Sequence, residues 1–328
     1  MNPLTFALLI GAVFSSLGDR QNLPVAAAIA PQSQPASVRE IDGERIRLAS
    51  VPEFTTRIFL PVVPGRQNAL SIADEPIRRI LDAPAGFSLS LQSGEVVVQA
   101  ESRGSWGYAS VETDKRRLTL AVVAVTPATE IRNGLLDGYR IGSYMTKPLK
   151  GLSSYHPPRG FIRLTRESAD IRVSDRYTLR DFQCKLDGGD AKFLVLRPEA
   201  LLKLELMQHK LARVGVPFER FTIMSGFRTP YYNSRIGNET SYSRHLYGDA
   251  MDIYVDADGN GEMDDINRDG RVNQADASLL LNVAEQLDES AEWGWLKGGA
   301  GVYRANKAHG PYVHVDTRGY IARWGVVR

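Results

Sequence analysis

The sequence predicts an α+β fold in two parts, a small mostly β domain and a second domain that mixes strands and helices. Short apolar and β-branched runs separated by turn residues fill residues 45–130. Residues 198–214 carry apolar side chains at helical spacing, and residues 276–287 predict a second helix. A chain of 328 residues is long enough for about two domains. We therefore interpret residues 131–173 as a connector and residues 174–328 as the second domain.

The mostly β domain is predicted from its strand-like runs. Residues 57–63 end at a Pro-Gly turn, and residues 118–125 follow a charged turn. Between them, residues 87–91 and 95–99 flank Gln-Ser-Gly, which is typical of a hairpin turn. This part shows no set of side chains suited to catalysis, so we interpret it as a spacer or a surface-contact module.

The second domain is predicted from a different pattern. Its first helix begins at Pro198, a residue favoured in the first turn, and ends at Gly215. Residues 221–225 and 251–255 predict strands. The stretch 293–324 is rich in glycine and aromatic residues, and we expect it to return to the sheet as strands.

The N-terminal segment, residues 1–30, is predicted to be a secretory signal or an uncleaved membrane anchor. An apolar run over residues 3–14 precedes small residues at 26–30, the order typical of a signal peptide. No Lys or Arg stands before the run, which leaves the anchor open as an alternative. Residues 31–44 predict a linker, because Pro, Gln and Ser dominate most of them. We expect the protein to work outside the cytoplasm, in the periplasm or extracellularly.

Composition narrows the classes of function. The formal net charge is +2, so nothing indicates nucleic acid as a partner. The chain has one cysteine, Cys184, which excludes an intramolecular disulfide. We interpret Cys184 as a small buried apolar residue.

Three separated side chains predict a metal site. His245 and Asp252 stand seven residues apart, next to the predicted strand at 251–255, and His314 lies in a second strand-like segment. Neutral imidazoles and a carboxylate are ligands that a catalytic zinc ion takes, with a fourth position left open for water. Two facing strands would aim these side chains at one ion. We therefore expect Zn²⁺ at this site.

Three segments together resemble a known enzyme family. They are Ser-Gly-Phe-Arg-Thr at 225–229, Ser-x-His-x-x-Gly-x-Ala-x-Asp at 243–252, and His-Val-Asp at 314–316. In this order they resemble the zinc peptidase family M15 of D-Ala-D-Ala carboxypeptidases, with the bacterial murein-endopeptidase branch nearest. The resemblance covers about residues 174–328. It implies an antiparallel sheet flanked by helices and peptidoglycan peptides as substrate.

The resemblance implies a role for each matched side chain. His245, Asp252 and His314 would be the zinc ligands. Arg228 would orient the substrate, and its planar guanidinium suits a carboxylate of the peptide. Ser243 would contact the substrate or support the first ligand.

The general base is not assigned by the resemblance. Many members of the family place a Glu three residues before the last ligand, where this chain has Pro311. We interpret His309 as the local candidate for moving a proton or stabilising an oxyanion, and Asp249 as a weaker candidate. Asp316 shares a strand face with His314 and is either a supporting carboxylate or a surface one.

A second metal signal lies within residues 256–287, which we interpret as an insertion in the peptidase domain. Residues 265–276 have the spacing of an EF-hand calcium loop, with Gly270 at the sharp turn. They resemble the calcium loop of dockerin repeats, and a partial second loop precedes them. The predicted Ca²⁺ ligands are Asp265, Asn267, Asp269, Arg271, Asn273 and Asp276, with Asp256, Asp258 and Asn260 in the partial loop. We expect calcium to order a rim of the zinc cleft.

The predicted function is a zinc peptidase of the bacterial envelope that cleaves cross-links or stem peptides of peptidoglycan. The endopeptidase activity is favoured over the carboxypeptidase activity by the branch that the chain resembles. One alternative is a non-catalytic zinc- and calcium-binding envelope protein that recognises cell-wall peptides or a protein partner. Related zinc folds, such as the hedgehog signalling domain, keep the metal and serve as ligands. Another alternative is a calcium-dependent adhesion or scaffold module.

Overall fold

The N-terminal part of the fold consists of strands in two sheets. The computed structural model describes residue 43 and residues 45–189, 191–216, 218–238 and 240–325. The predicted segment 1–30 and all of the linker except residue 43 lie outside the described residues. The strands are β1 (Arg45–Leu48), β2 (Arg57–Val62), β3 (Asn68–Ile72), β4 (Ile77–Ile80), β5 (Phe87–Gln92), β6 (Glu95–Ala100), β7 (Trp106–Thr113) and β8 (Arg117–Ala124). One sheet has the order β1-β3-β6-β5, and the other has the order β2-β8-β7-β4.

The predicted hairpin is present between β5 and β6. These strands pair antiparallel from Phe87 opposite Ala100 to Gln92 opposite Glu95. The two residues of the turn, Ser93 and Gly94, both have positive φ. Such a turn matches the right-handed twist of the flanking strands.

Short elements connect this part to the C-terminal sheet. The strands here are β9 (Thr126–Pro127), β10 (Leu135–Leu136), β11 (Tyr139–Arg140), β12 (Gly160–Leu164) and β13 (Lys192–Leu194). Among the described residues, the 3₁₀ helices are Ala128–Glu130, Leu149–Gly151, Ser153–Tyr155, Leu179–Phe182, Arg244–Tyr247 and Gly294–Leu296. The strands β13, β12 and β9 form one small sheet, and β10 pairs with β11.

In the residues that the structure describes, the α-helices lie in the C-terminal part, together with a mostly antiparallel sheet. Its helices are α1 (Pro198–Arg213), α2 (Pro230–Arg235) and α3 (Gln274–Asp288). Its strands are β14 (Thr222–Ser225), β15 (Ala250–Tyr254), β16 (Gly299–Tyr303), β17 (Tyr312–Asp316) and β18 (Ala322–Trp324). They lie in the order β14-β15-β17-β16-β18, and β18 is parallel to β16. The prediction of an α+β fold is confirmed.

The two long helices begin and end where their sequences predict. Pro198 opens α1, and Gly215 follows its end with a φ of 84°. A reciprocal capping box opens α3. In it, the side chain of Asn273 accepts the backbone N–H of Asp276, and the side chain of Asp276 accepts the backbone N–H of Asn273. The apolar face of α3 packs against β16, β17 and α1. The helix inside the predicted insertion is therefore part of the core.

Alternation along β15 and β17 separates the core from the predicted site. Met251 and Ile253 on β15, and Val313 and Val315 on β17, belong to the main hydrophobic core. Because successive strand residues point to opposite faces, the polar residues between them lie on the other face of the sheet. That face carries the predicted metal ligands.

One hydrophobic core includes residues of the N-terminal sheets and of the C-terminal part. The core contains Leu60 of β2 and Val122 of β8 together with Leu204 of α1. The described residues belong to one compact unit. The predicted boundaries between a β-rich domain, a connector and a peptidase domain stay a prediction. In the described part of the chain, no helix has both the length and the apolar character needed to span a membrane.

Candidate metal centre

The predicted zinc ligands converge on one point. His245 Nε2 lies 3.2 Å from Asp252 Oδ1 and 3.2 Å from His314 Nδ1. His314 Nδ1 lies 3.0 Å from the same Asp252 oxygen. All three residues are buried, with relative exposures of 3%, 3% and 6% in chain order. The structure therefore brings together side chains that the sequence separates by up to 69 positions.

The sheet register positions two of these side chains. Asp252 on β15 is directly opposite His314 on β17 in the antiparallel ladder. Side chains that face each other in this way have Cβ atoms about 4.5–5.5 Å apart. Two short polar side chains at this separation reach a shared ion without any further change of the backbone.

The third ligand, His245, is held by a 3₁₀ turn with its own support. Gly248 ends the turn with a φ of 74°, and a Cβ there would lie 2.5 Å from the carbonyl of Val195. The guanidinium of Arg244 binds both carboxylate oxygens of Asp249, at 3.0 and 2.6 Å. The same guanidinium lies over the ring of Tyr155, 4.3 Å from its centroid. This buried clamp fixes the turn on which His245 stands.

Outward hydrogen bonds determine which nitrogen of each imidazole faces inward. His245 Nδ1 lies 2.7 Å from the carbonyl oxygen of Gly226, which can only accept, so Nδ1 carries the proton. His314 Nε2 lies 3.1 Å from Asp316 Oδ2, a carboxylate that also only accepts. In their neutral forms both rings therefore present a lone pair toward Asp252.

Three acceptor atoms that face one another require a cation between them. Buried lone pairs of this kind repel unless a proton or a metal ion satisfies them. Ligands in a tetrahedral zinc site lie roughly 3.3 Å apart, since zinc bonds to nitrogen and oxygen are about 2.0–2.2 Å. The observed separations of 3.0–3.2 Å between the ligand atoms fit this geometry. His245, Asp252 and His314 thus fit zinc, and each histidine has the outer hydrogen bond typical of a metal ligand.

The charges in the metal-free site are strongly coupled. Burial would raise the pKa of Asp252, but the two histidines outweigh it and hold that pKa well below its usual range. Burial lowers the pKa of His245. Burial would lower the pKa of His314 as well, but hydrogen bonds to Asp252 and Asp316 raise it overall. Asp252 is therefore a carboxylate at neutral pH and is ready to bind a cation.

Arg228 contacts the metal centre directly. Its Nη2 donates to Asp252 Oδ2, the carboxylate oxygen that does not face the histidines. Its Nε donates to Ser225 Oγ at 2.8 Å. Among the described residues, Nη1 of Arg228 has no hydrogen-bond partner. The guanidinium therefore orients Asp252 and keeps one edge available for a ligand.

A cavity of about 510 Å³ opens onto the metal ligands. Its wall includes the predicted substrate residues Arg228 and Ser243. Aromatic residues contribute much of the remaining wall. The complete lining is Leu149, Tyr155, Arg228, Asn238, Thr240, Tyr242, Ser243, Arg244, His245, Asp252, Tyr303, Tyr312, His314, Arg318, Tyr320 and Trp324.

The side chains suggested for proton transfer lie elsewhere. His309 is absent from the cavity lining, and its ring nitrogens lie 2.8 Å from Asn306 Nδ2 and 2.8 Å from the Gly310 carbonyl. Asp249 is fully buried in its ion pair with Arg244. The positions of His309 and Asp249 do not support their predicted roles, which stay predictions. Asp316, by contrast, is a buried supporting carboxylate rather than a surface one.

The comparison with protein families agrees with this geometry. Residues 175–281 match the family model described as Peptidase M15. This segment belongs to the peptidase M15 family. No curated protein matches the chain. The matched range contains Arg228, His245 and Asp252 but ends before His314, the ligand that the sheet adds to the M15 segment.

Several residues around the M15 site were missed in the sequence. Arg318 binds both oxygens of Asp316 and lines the cavity. The only sequence signal for it is the alternation His314, Asp316, Arg318, which repeats polar residues at strand spacing, although β17 ends at Asp316. Tyr303 and Trp324 also line the cavity, but neither stands in a recognisable motif.

The M15 segment also contains the two acidic loops. In both loops the first carboxylate accepts the N–H of the sixth residue: Asp256 from Gly261 at 3.1 Å, and Asp265 from Gly270 at 2.7 Å. The same contact therefore recurs nine residues further along the chain. None of residues 256–287 lines the cavity.

The structure favours the upstream loop over the loop with the better EF-hand spacing. Asp256, Asp258 and Asp264 have carboxylate oxygens within 4.8 Å of one another. In the part of the chain that is described, Asp265, Asp269 and Asp276 form no such group. Both oxygens of Asp276 instead accept backbone N–H groups, from Asn267 and from Asn273.

Proposed function

We propose that the chain is a zinc-dependent peptidase of the bacterial envelope that hydrolyses the stem or cross-link peptides of peptidoglycan. One observation carries the proposal: three buried acceptor atoms, on His245, Asp252 and His314, converge at the wall of a cavity that Arg228 also lines. A zinc ion held there supplies Lewis acidity and lowers the pKa of water, which is the chemistry that peptide hydrolysis needs.

The residues of the chain perform the other tasks of the reaction. Arg228 orients Asp252 and offers a free guanidinium edge to a carboxylate of the peptide. Peptidoglycan stems are rich in such carboxylates. Ser243 also lines the cavity, which supports a hydrogen bond from its hydroxyl to the bound peptide. The aromatic wall excludes water from the bound chain, which strengthens these polar contacts.

The finer parts of the proposal rest on the resemblance of the sequence motifs. Endopeptidase activity is favoured over carboxypeptidase activity by the branch of the family that the motifs resemble. Export to the periplasm or the cell surface is proposed because residues 1–30 have the order of a signal or an anchor. Such a location would bring the site to its polymeric substrate.

The experiment uses the full chain stripped of metal and incubated with purified sacculi, with and without zinc. Chromatography of the muropeptides is expected to show cross-linked dimers converted to monomers only when zinc is present. His314→Ala is expected to remove this conversion, whereas Asp114→Asn, which changes an exposed ion pair far from the site in sequence, is expected to retain it. If zinc binds but no muropeptide changes, the hydrolytic function is wrong and a non-catalytic binding role replaces it.

We also propose that the loop 256–264 binds calcium. Asp256 Oδ1 is buried without a hydrogen-bond partner among the described residues, and it belongs to the group with Asp258 and Asp264. Carboxylate oxygens on a turn with glycine at its sixth position are the ligands that calcium takes. The backbone of this loop is tied to the residue that follows β15, because the N–H of Asp264 donates to the carbonyl of Val255 at 2.9 Å.

The calcium proposal is tested by thermal unfolding with increasing calcium. The melting temperature is expected to rise with calcium in the wild-type chain and not in Asp256→Asn. The matched variant Asp265→Asn, at the equivalent position of the downstream loop, is expected to keep the response. A melting temperature that does not respond to calcium in any of the three proteins contradicts calcium binding at the upstream loop.

A further inference from the structure

Tyr303 stands on the same face of the sheet as the metal ligands. In the ladder between β16 and β17, Gly301 is opposite His314 and Tyr303 is opposite Tyr312. Side chains two residues apart share a strand face and are separated by roughly 6.6 Å along the strand. Tyr303 and His314 both line the cavity. The phenol therefore belongs to the wall next to the metal centre.

The hydroxyl of Tyr303 is held in one orientation. Trp324 Nε1 donates to it at 2.9 Å. An indole N–H can only donate, so the phenol oxygen must accept this bond and its own proton is left for another partner. The ring of Tyr303 is stacked on Tyr312, with centroids 4.6 Å apart and an angle of 4° between the planes. Two contacts thus fix the ring and the oxygen.

Gly301 makes this arrangement possible. A Cβ at position 301 would lie 2.1 Å from Nε1 of Trp324. The missing side chain lets the indole lie against β16, where its ring is 5.2 Å from the ring of His314. The indole therefore connects the metal ligand and the phenol through direct contacts.

Tyr303 acts as a donor and not as a base. Partial burial raises the pKa of Tyr303 and outweighs the hydrogen bond from Trp324, which lowers it. The negative charge of Asp252 raises this pKa further, and the charge of Arg228 lowers it by less. The phenol is therefore neutral at the pH at which the protein works. Its free proton is suited to a partner that gains negative charge.

We propose that Tyr303 is a catalytic residue that donates a hydrogen bond to the oxygen of the scissile carbonyl as negative charge develops on it. The inference rests on the proposed peptidase function and adds a residue to that site. It also supplies the role that the sequence suggested for His309, which is absent from the cavity wall. Removal of one donor of this kind lowers kcat by about 10²–10³-fold.

The test compares Tyr303→Phe with the wild-type chain on a cross-linked peptide from peptidoglycan. The variant keeps the ring and its stack, so we expect KM to change little while kcat falls about 100-fold or more. Tyr108→Phe, on β7 of the N-terminal part, is the control and is expected to keep both constants. Trp324→Phe removes the N–H that orients the phenol and is expected to lower kcat less.

Binding measurements separate this inference from the proposed function. Calorimetry on the metal-free proteins is expected to give the same affinity for the uncleaved peptide in the wild type and in Tyr303→Phe. A phosphinate analogue of the peptide, with zinc present, is expected to bind the variant more weakly by a factor close to the loss in kcat. An active wild type whose Tyr303→Phe variant keeps its kcat overturns the role of Tyr303 alone. A wild type that cleaves no peptide overturns the peptidase function, and the role of Tyr303 with it.

Discussion

At the scale of single residues, Asp316 determines which ring nitrogen of His314 faces the metal site. Its carboxylate accepts the N–H of Gly299 at 2.7 Å as well as the ring of His314 at 3.1 Å. Arg318 neutralises its charge from the other side. Contacts other than His314 therefore hold the carboxylate in place, and the carboxylate in turn holds the imidazole.

Replacing Asp316 with Asn is predicted to weaken zinc binding. The amide removes the negative charge that holds the proton of His314 on Nε2. The neutral ring can then carry its proton on Nδ1, the nitrogen that would bind zinc. Loss of such an outer partner lowers metal affinity by about 10–100-fold. A competition titration against a chelator measures the change, and Asp114→Asn serves as the control because its ion pair with Arg78 is exposed. Equal zinc affinity in Asp316→Asn and wild type contradicts the role given to this carboxylate.

The pH dependence of zinc binding follows from the same contacts. Zinc binds neutral imidazole, so a proton on His314 competes with the metal. Burial opposes the proton, but Asp252 and Asp316 outweigh it and raise the pKa of His314. As pH falls, zinc affinity is therefore predicted to drop at a higher pH than the ordinary histidine pKa of about 6.5. Titrations at several pH values measure this, and a decline that begins only well below that pKa is the contrary result.

At the scale of elements, Gly248 joins the turn of His245 to the strand of Asp252. Its positive φ is costly for any other residue, and the backbone of Val195 fills the space where a side chain would begin. The turn and the strand are therefore tied to the segment before α1. The spacing of seven residues between His245 and Asp252 depends on this close approach.

Replacing Gly248 with Ala is predicted to destabilise the fold by roughly 2–5 kcal/mol, the sum of left-handed strain and overlap with backbone atoms. Gly65→Ala is the matched control, because Gly65 has a φ of 73° and nothing within 4 Å of its Cβ position. The control carries only the strain, about 1–2 kcal/mol. Denaturant unfolding of both variants measures the difference. Equal losses in the two variants contradict the importance of the close approach.

Much of the site could be predicted from sequence at this scale, because several of its residues are close together along the chain. The strand β15 and the ligands His245 and Asp252 lie within one short segment, so their spacing alone indicates a shared site. A role for His309 in proton transfer is predicted only from its closeness to His314 along the chain. Distance along the chain does not show where a loop side chain points, and this one bonds to its own loop.

Tyr303 and Trp324 could not be predicted because their positions depend on how strands pair. The two residues meet only because β18 lies parallel to β16, with Trp324 opposite Gly301. A pairing shifted by one residue would turn the indole to the other face of the sheet. The sequence around these residues contains no signal for that register.

At the scale of the whole molecule, the N-terminal sheets and the M15 segment are connected by buried contacts. Thr55 Oγ1 donates to Glu205 Oε2 at 2.5 Å, and both residues are buried. The apolar residues of both parts belong to one hydrophobic cluster. The β-rich part thus shields the inner side of α1 from water. It therefore contributes to the stability of the M15 segment and is not only a spacer.

Removing the N-terminal sheets is predicted to prevent the rest from folding. A fragment of residues 174–328 loses the hydrogen bond from Thr55 to Glu205 and exposes to water the apolar surface around α1, which costs more than a marginally stable protein can lose. Circular dichroism and thermal unfolding of the fragment measure this. The longer chain is expected to unfold in one transition. A fragment that unfolds cooperatively on its own contradicts the prediction.

The account depends most on the convergence of His245, Asp252 and His314 on one zinc ion. Calorimetric titration of zinc into the metal-free full chain tests it directly, together with the variants His245→Ala, Asp252→Ala and His314→Ala. We predict one tightly bound zinc per wild-type chain and a large loss of affinity in each of the three variants, with His309→Ala binding as the wild type does. Tight zinc binding that survives in His245→Ala, Asp252→Ala and His314→Ala would show that the metal is held elsewhere and would contradict the central claim.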